Sequence, residues 1–287
     1  MIQDLTYGTF DNQYKDIKAE AGDLVICIRR QEILLHSSEK GLAKLPEVSR
    51  VKEWSPDWQI WAEEPFRYVF TMQERRFFLW FGEADVPKDE NYTFVPARKA
   101  MMPEDKDLAF ALMTALHLHN WYNDNRFCGR CGSQTTHDSK ERMMRCSHCG
   151  NMIFPRIAPA AIIALTHGDK LMLIRYANRG LSIYGLLAGF IEIGETAEEA
   201  VAREVMEEVG MKVKNIRYYK SQPWGIVGNL SVGYFCELDG DDETVIQDEN
   251  ELASAEWFSR DEIDYIDNGI SLTGEMIALF QAGKEPK

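Results

Sequence analysis

Gly189-Phe-Ile-Glu-Ile-Gly-Glu195 leads, after seven residues, into Arg203-Glu-Val-Met-Glu-Glu-Val-Gly-Met211, and this stretch decides how the chain is read. Its second half predicts a helix from about Ala197 to Val209. At 3.6 residues per turn, Glu204, Glu207 and Glu208 fall within an arc of about 100°. Val201, Val205 and Val209 form the adjoining apolar stripe, which sets the helix against a sheet. Carboxylates crowded on one arc repel, so either their pKa values rise or a divalent cation sits among them. Hard cations take oxygen ligands, and Mg²⁺ binds through few carboxylates, water and substrate phosphates. Such an ion polarises a phosphoryl oxygen and activates a water for in-line attack. Arg203 is placed to pair with Glu195 and hold the preceding loop to the helix. Glu198 and Glu199 read as the solvated face of an acid-rich helix.

Upstream, Cys128 and Cys131 form one Cys-x2-Cys pair and Cys146 and Cys149 a second, with fourteen residues between them. Gly129, Gly132 and Gly150 supply the backbone freedom that two tight turns need. Four thiolates close a tetrahedral shell, which makes a structural Zn²⁺ site. His148 is then surplus. Disulfides and free thiols are the alternatives; a reducing compartment argues against the first, and a stretch of about 30 residues without a core needs a staple. From Arg126 to Arg156 there are six bases against two acids, and a Zn(Cys)₄ centre of charge −2 halves the excess. A nucleic-acid-binding ribbon stays open but is not demanded.

Three regions follow: 1–125, an N-terminal α+β domain; 126–155, the ribbon; and 156–287, an α/β domain. In the first, Leu24 to Arg29 with Glu32 to His36, and Phe66 to Met72 with Phe77 to Phe81, predict hairpins. Trp54, Trp58, Trp61, Phe66, Tyr68, Phe70, Phe78 and Trp80 read as core or subunit contact in preference to a base-stacking platform. Pro103 opens a helix to about Tyr122 with Leu108, Leu112, Ala115 and Leu116 on one stripe. His117 and His119 lie two apart on it, on different faces, so neither reads as a metal ligand. In the last region strands are expected over Ala160 to Leu165, Leu171 to Tyr176, up to Ile191, Val213 to Tyr219, Leu230 to Leu238 and Ala255 to Phe258, with a final helix from Leu272 to Gln281. No strand is followed by Gly-x-Gly-x-x-Gly, so a Rossmann dinucleotide site is not indicated.

The 46 acids and 32 bases leave a net charge of −14, which disfavours bulk binding to a phosphate backbone. A small anionic substrate is compatible with this charge where a metal ion neutralises it. No run approaches the ~18 apolar residues of a membrane helix. The start, MIQDLTYGTF, lacks the basic and apolar regions of a signal peptide, so a cytoplasmic setting is expected. Cys27 and Cys236 sit in apolar runs as small buried hydrophobes.

Gly189, Glu195, Arg203, Glu204, Glu207, Glu208 and Gly210, with aliphatic Val205 and Met211, match the Nudix box Gly-x5-Glu-x7-Arg-Glu-U-x-Glu-Glu-x-Gly-U. Chance gives such a match on the order of once in a million chains of this length. A four-cysteine ribbon followed by that box resembles the NADH pyrophosphatase (NudC-type) family. The segments Phe154-Pro155-Arg156-Ile157-Ala158-Pro159, Leu187-Ala188-Gly189-Phe190 and Ser221-Gln222-Pro223-Trp224 look like family segments as well. The resemblance implies a Nudix α/β/α sandwich with a mixed sheet, and Mg²⁺- or Mn²⁺-dependent hydrolysis of NAD(H) to AMP and nicotinamide mononucleotide. It also implies removal of NAD caps from RNA in some members, and homodimers.

Carried over by position, Glu204, Glu208, Glu251 (in Glu249-Asn250-Glu251-Leu252) and the Ala188 carbonyl would bind the catalytic cation. Glu207 would assist as ligand or base, with Arg203 and Glu195 completing the catalytic set. Phe154, Phe190, Gln222, Pro223, Trp224, Asn229, Arg98 and Glu141 would touch substrate. One departure stands out. The family pattern Ser-Gln-Pro-Trp-Pro-Phe-Pro-x-Ser reads here Ser221-Gln222-Pro223-Trp224-Gly225-Ile226-Val227-Gly228-Asn229. Losing two prolines frees the loop and puts the choice of a nicotinamide in doubt. The alternatives are a Nudix hydrolase of ADP-ribose or a dinucleoside polyphosphate, and a non-catalytic, zinc-ribbon RNA-binding protein.

Overall fold

A computed structural model describes residues 1–6, 8–54, 64–82, 89–101, 105–177, 184–248 and 250–286. Trp58, Trp61, the expected helix start at Pro103, and Glu249 lie outside the described residues. The chain forms two compact units. An amino-terminal unit comprises Ile2–Arg156 with Gly225–Val227, and a carboxy-terminal unit comprises Met1, Ile157–Trp224 and Gly228–Lys287.

In the amino-terminal unit, β1 (Phe10–Asp11), β2 (Leu24–Arg29), β3 (Glu32–His36), β4 (Phe66–Met72), β5 (Arg75–Trp80) and β6 (Tyr92–Pro96) make one sheet in the order β1-β4-β5-β2-β3-β6. Helices α1 (Val48–Trp54), α2 (Ala97–Ala100) and α3 (Lys106–Asp124) accompany it. Side chains alternate along a strand, so Val25, Cys27, Tyr68, Phe78 and Trp80 share one core with Val48, Val51 and Trp54 of α1. Trp54, Phe66, Tyr68, Phe70, Phe78 and Trp80 are each at most 6% exposed. These rings are core. The hairpins turn on Arg30-Gln31 and Gln73-Glu74, all at positive φ, although neither pair carries the glycine that such turns favour. The Asp105 carboxylate caps α3 by accepting the Leu108 amide at 2.9 Å. The ribbon contributes a small antiparallel sheet of β7 (Thr135–His137), β8 (Met144–Cys146) and β9 (Met152–Ile153).

In the carboxy-terminal unit, β10 (Ala158–His167), β11 (Lys170–Tyr176), β12 (Leu187–Phe190), β13 (Val213–Trp224), β14 (Asn229–Leu238) and β15 (Leu252–Ser259) form a sheet ordered β13-β14-β10-β11-β15, with β12 also paired to β10. β10 runs parallel to β14 and antiparallel to β11 and β12, so the sheet is mixed. Helix α4 (Ala197–Val209) lays Val201, Val205 and Val209 on the face carrying Ala161, Ile163, Met172 and Ile174. Helix α5 (Leu272–Gln281) lays Leu272, Met276, Ile277 and Phe280 on the opposite face, against Ala164, Leu171, Leu173 and Phe235. Each such side chain contributes about 1.5–3 kcal/mol by leaving water. The result is the expected α/β/α sandwich. Among the described residues, no helix is long and apolar enough to cross a membrane.

Candidate active site and zinc centre

Helix α4 is bounded by strong local signals. The Thr196 hydroxyl accepts the Glu199 amide at 3.2 Å, and the Glu199 carboxylate accepts the Thr196 amide at 2.8 Å, a complete capping box. Glu199 is therefore a cap, which the sequence reading missed although Thr196-x-x-Glu199 was there to be read. At the other end Gly210 adopts φ 74° and donates to the Met206 carbonyl at 3.1 Å. A Cβ on Gly210 would press on Ile246 at 2.9 Å.

Arg203 organises the acidic face. Its Nε and Nη2 donate to the two oxygens of Glu195 at 2.8 and 2.9 Å. Nη1 reaches Glu204 at 2.7 Å and Glu207 at 2.9 Å, and Nη2 also donates to the Phe190 carbonyl at 2.9 Å. The Arg203 hydrogen bonds, followed by the Glu192 amide, hold Glu195 down to about 2. The same carboxylates push Arg203 up. Glu204 is 12% exposed, and burial raises its pKa against the opposing pull of Arg203; the charges of Glu207 and Glu251 add to the rise.

Gly189 explains how Glu204 fits. A Cβ at Gly189 would overlap the Glu204 carboxylate, so the carboxylate lies directly over this residue. Ala188, beside it on β12, pairs with Ile162. Glu208 is only 2% exposed, and its carbonyl accepts the Asp248 amide at 3.0 Å, which ties the loop before Glu251 to the helix. Glu251 is exposed, and its own carbonyl accepts the Ala177 amide at 2.9 Å. A shielded carboxylate, a second seated on a glycine and a third charge close enough to perturb it suit a hard divalent cation completed by water and phosphate.

The ribbon is different. Cys128, Cys131, Cys146 and Cys149 bring their Sγ atoms within 4.8 Å of one another, the one such group among the described residues. Cys128 and Cys149 stand 3.6 Å apart, and Cys131 and Cys146 3.5 Å. Four thiolates about 2.3 Å from one zinc ion stand about 3.8 Å apart. The cluster fits zinc. Gly132 and Gly150, at φ 74° and 72°, donate to the carbonyls of Cys128 and Cys146 and close both turns; Gly129 is not in the left-handed region. The Ser133 amide holds the Cys131 thiol down to about 5. His148 is exposed. His117 bonds the Arg156 carbonyl at 2.9 Å. His119 stacks on Phe81, and burial pushes it down to about 4.

The expected substrate contacts fall in both units. In the carboxy-terminal unit Phe190 is 54% exposed at the end of β12, and Pro223 is exposed beside half-buried Trp224, which pairs with Asn229. Gln222 is buried. Its amide donates to the Ile270 carbonyl and accepts the Leu272 amide, both at 2.7 Å, so it splints the start of α5 and is not open to a ligand. In the amino-terminal unit Phe154, Arg98 and Glu141 are all exposed. There too, a Cβ on Gly225 would lie 2.5 Å from the Met113 carbonyl. That close approach explains the glycine where the family pattern has proline.

The chain matches the NUDIX domain family over residues 156–280 and the NADH pyrophosphatase zinc ribbon domain over residues 123–154. The NAD-capped RNA hydrolase NudC of Klebsiella pneumoniae is 36% identical over 187 residues, 64% of this chain and 71% of the relative. The protein of that name from Pseudomonas aeruginosa is 35% identical over 189 residues, 66% of this chain and 67% of the relative. Among solved structures, a NUDIX hydrolase from Nitrosomonas europaea is similar with a TM-score of 0.47 at 19% identity, covering 54% of this chain and 90% of that one.

Proposed function

The chain belongs to the Nudix hydrolase family, on the branch with the NADH pyrophosphatase zinc ribbon, and from that premise we infer that it hydrolyses the pyrophosphate bond of NAD(H) to AMP and nicotinamide mononucleotide. The relatives named for NAD-capped RNA support the NAD cap of RNA as a further substrate. The observation that carries the reading is the fork of Arg203, which draws Glu195, Glu204 and Glu207 onto one surface beside shielded Glu208.

Glu204, Glu208, Glu251 and the Ala188 carbonyl would hold Mg²⁺ or Mn²⁺, which when bound neutralises the diphosphate and activates a water. Arg203 and Glu195 keep the loop after β12 fixed to α4, so Ala188 and Gly189 stay against Glu204. Glu207 is 60% exposed and positioned to accept a proton from attacking water. Phe190 offers a ring for a base, with Pro223, Trp224 and Asn229 beside the β13–β14 turn. Phe154, Arg98 and Glu141 remain substrate contacts on family resemblance alone. Resemblance also supports a homodimer, and four zinc-binding thiolates suit the reducing cytoplasm.

Gly225, pressed on Met113 where the family pattern has proline, favours a second reading in which the leaving half is not nicotinamide mononucleotide. One panel tests both: NAD⁺, NADH, ADP-ribose, a diadenosine polyphosphate and NAD-capped RNA, each with Mg²⁺ and with Mn²⁺. Chromatography showing AMP and nicotinamide mononucleotide as the fastest-formed products supports the first reading. Preference for ADP-ribose or the polyphosphate supports the second, and no hydrolysis of any substrate defeats both.

A further inference from the structure

Strand alternation puts Leu171, Leu173 and Arg175 of β11 on the α5 face of the sheet, and the two leucines belong to that core. Tyr184 packs on the same core, its ring 4.9 Å from that of Phe258. The Arg175 guanidinium lies over the Tyr184 ring, 4.0 Å from its centroid. Opposite Arg175 on β15 is Ser254, and directly opposed residues share a face with their Cβ atoms about 4.5–5.5 Å apart.

Arg175 Nε and Ser254 Oγ are both shielded from solvent, and neither has a hydrogen-bond partner among the described residues. Shielded donors without an acceptor are costly; Arg67 Nε, Trp80 Nε1 and Arg142 Nη1 share that state, and what sets this pair apart is that its two residues stand opposite each other on one rung. The chain is rich in carboxylates, yet none among the described residues pairs with Arg175. Arg76, Arg203 and Arg217 each have at least one. Glu256, on the same face two residues along β15, is exposed and makes no ion pair with Arg175.

The place is tied to the candidate site by backbone bonds. Ile174 and Gly185 exchange hydrogen bonds at 3.0 and 2.8 Å, and Gly185 leads directly into Ala188 and Gly189. The Ala177 amide, two residues past Arg175, holds the carbonyl of Glu251. We propose that Arg175, braced by Tyr184 and joined by Ser254, binds the anionic diphosphate of the nucleotide substrate from the α5 face of the sheet. The aromatic brace fixes the plane of the guanidinium, and a fixed guanidinium with an adjacent hydroxyl donor matches phosphoryl oxygens. A residue serving only to cover Tyr184 needs no inward donors.

This inference rests on the hydrolase reading, and its test separates the two. Steady-state hydrolysis of NADH with Mg²⁺ is compared for the wild type, Arg175→Gln, Arg175→Lys and Ser254→Ala, alongside calorimetric binding of inorganic pyrophosphate to protein stripped of the catalytic cation but still holding zinc. Arg175→Gln is expected to raise KM about tenfold with kcat within about threefold, and to weaken pyrophosphate binding by a similar factor. Arg175→Lys should recover part of the loss, and Ser254→Ala should show about a threefold effect. Thermal midpoints should stay close to wild type. Equal pyrophosphate affinity in wild type and Arg175→Gln, or none in the wild type, would overturn the inference. If the wild type hydrolyses no dinucleotide, the functional reading fails, and the pyrophosphate comparison still decides the role of Arg175.

Discussion

The zinc ribbon and the acidic face of α4 prepare for metal ions in opposite ways. In the ribbon, two turns closed by Gly132 and Gly150 bring four sulfur atoms together as a complete shell. On α4 the carboxylates come from separate places: Glu204 over Gly189, Glu208 beneath the helix, Glu251 on a loop. Arg203 holds part of the set and leaves Glu207 exposed. A closed shell has no position for a reactant, so it can only hold structure; an incomplete one has room for water and phosphate. The contrast distinguishes scaffold from chemistry.

Removing zinc gives the largest expected effect, because a structural site of this kind contributes about 10–16 kcal/mol. Cys146→Ser, or dialysis against a strong chelator, should abolish amide protection across 126–155 while α4 stays protected. A folded ribbon in zinc-free protein would break the contrast at its structural end. Next comes Glu208→Gln, expected to lower turnover by at least about 10²-fold with little change in thermal midpoint; near-normal turnover would remove this carboxylate from the site. Gly189→Ala should follow. Its Cβ must displace the Glu204 carboxylate, at about 1–3 kcal/mol of overpacking, and a kcat unaffected by the change would show that this seat is dispensable.

The smallest effect concerns acid. Glu195 is held down to about 2 from an ordinary value of 4.5, chiefly by Arg203. Its contribution to stability is complete above the ordinary value and is lost as pH falls through that window toward the folded-state value. Acid-unfolding curves should therefore steepen there in the wild type and flatten in Arg203→Met. Superposable curves would show that the pair does nothing for the loop.

Helix α4 was legible because the apolar stripe of Val201, Val205 and Val209 is a local signal, although the capping box that starts it at Thr196 and Glu199 was passed over. The ribbon was legible from spacing alone. What escaped depends on contacts distant in sequence. β13 runs on to Trp224, past the expected Tyr219, because pairing with β14 carries polar Lys220, Ser221 and Gln222. α1 is a short, charged helix whose Val48, Val51 and Trp54 acquire meaning only against β2 and β4. Gln222 looked like a ligand contact, and its partners Ile270 and Leu272 lie about fifty residues away.

One guanidinium serving three carboxylates and a carbonyl also shapes how such a gene can decay. Residues that share a partner do not change independently, so the first replacement around Arg203 does most of the damage and later ones cost little more. Selection on the remaining members then lapses together. A duplicated copy drifting free of its task should keep the whole set intact or shed it quickly, with few lasting intermediates.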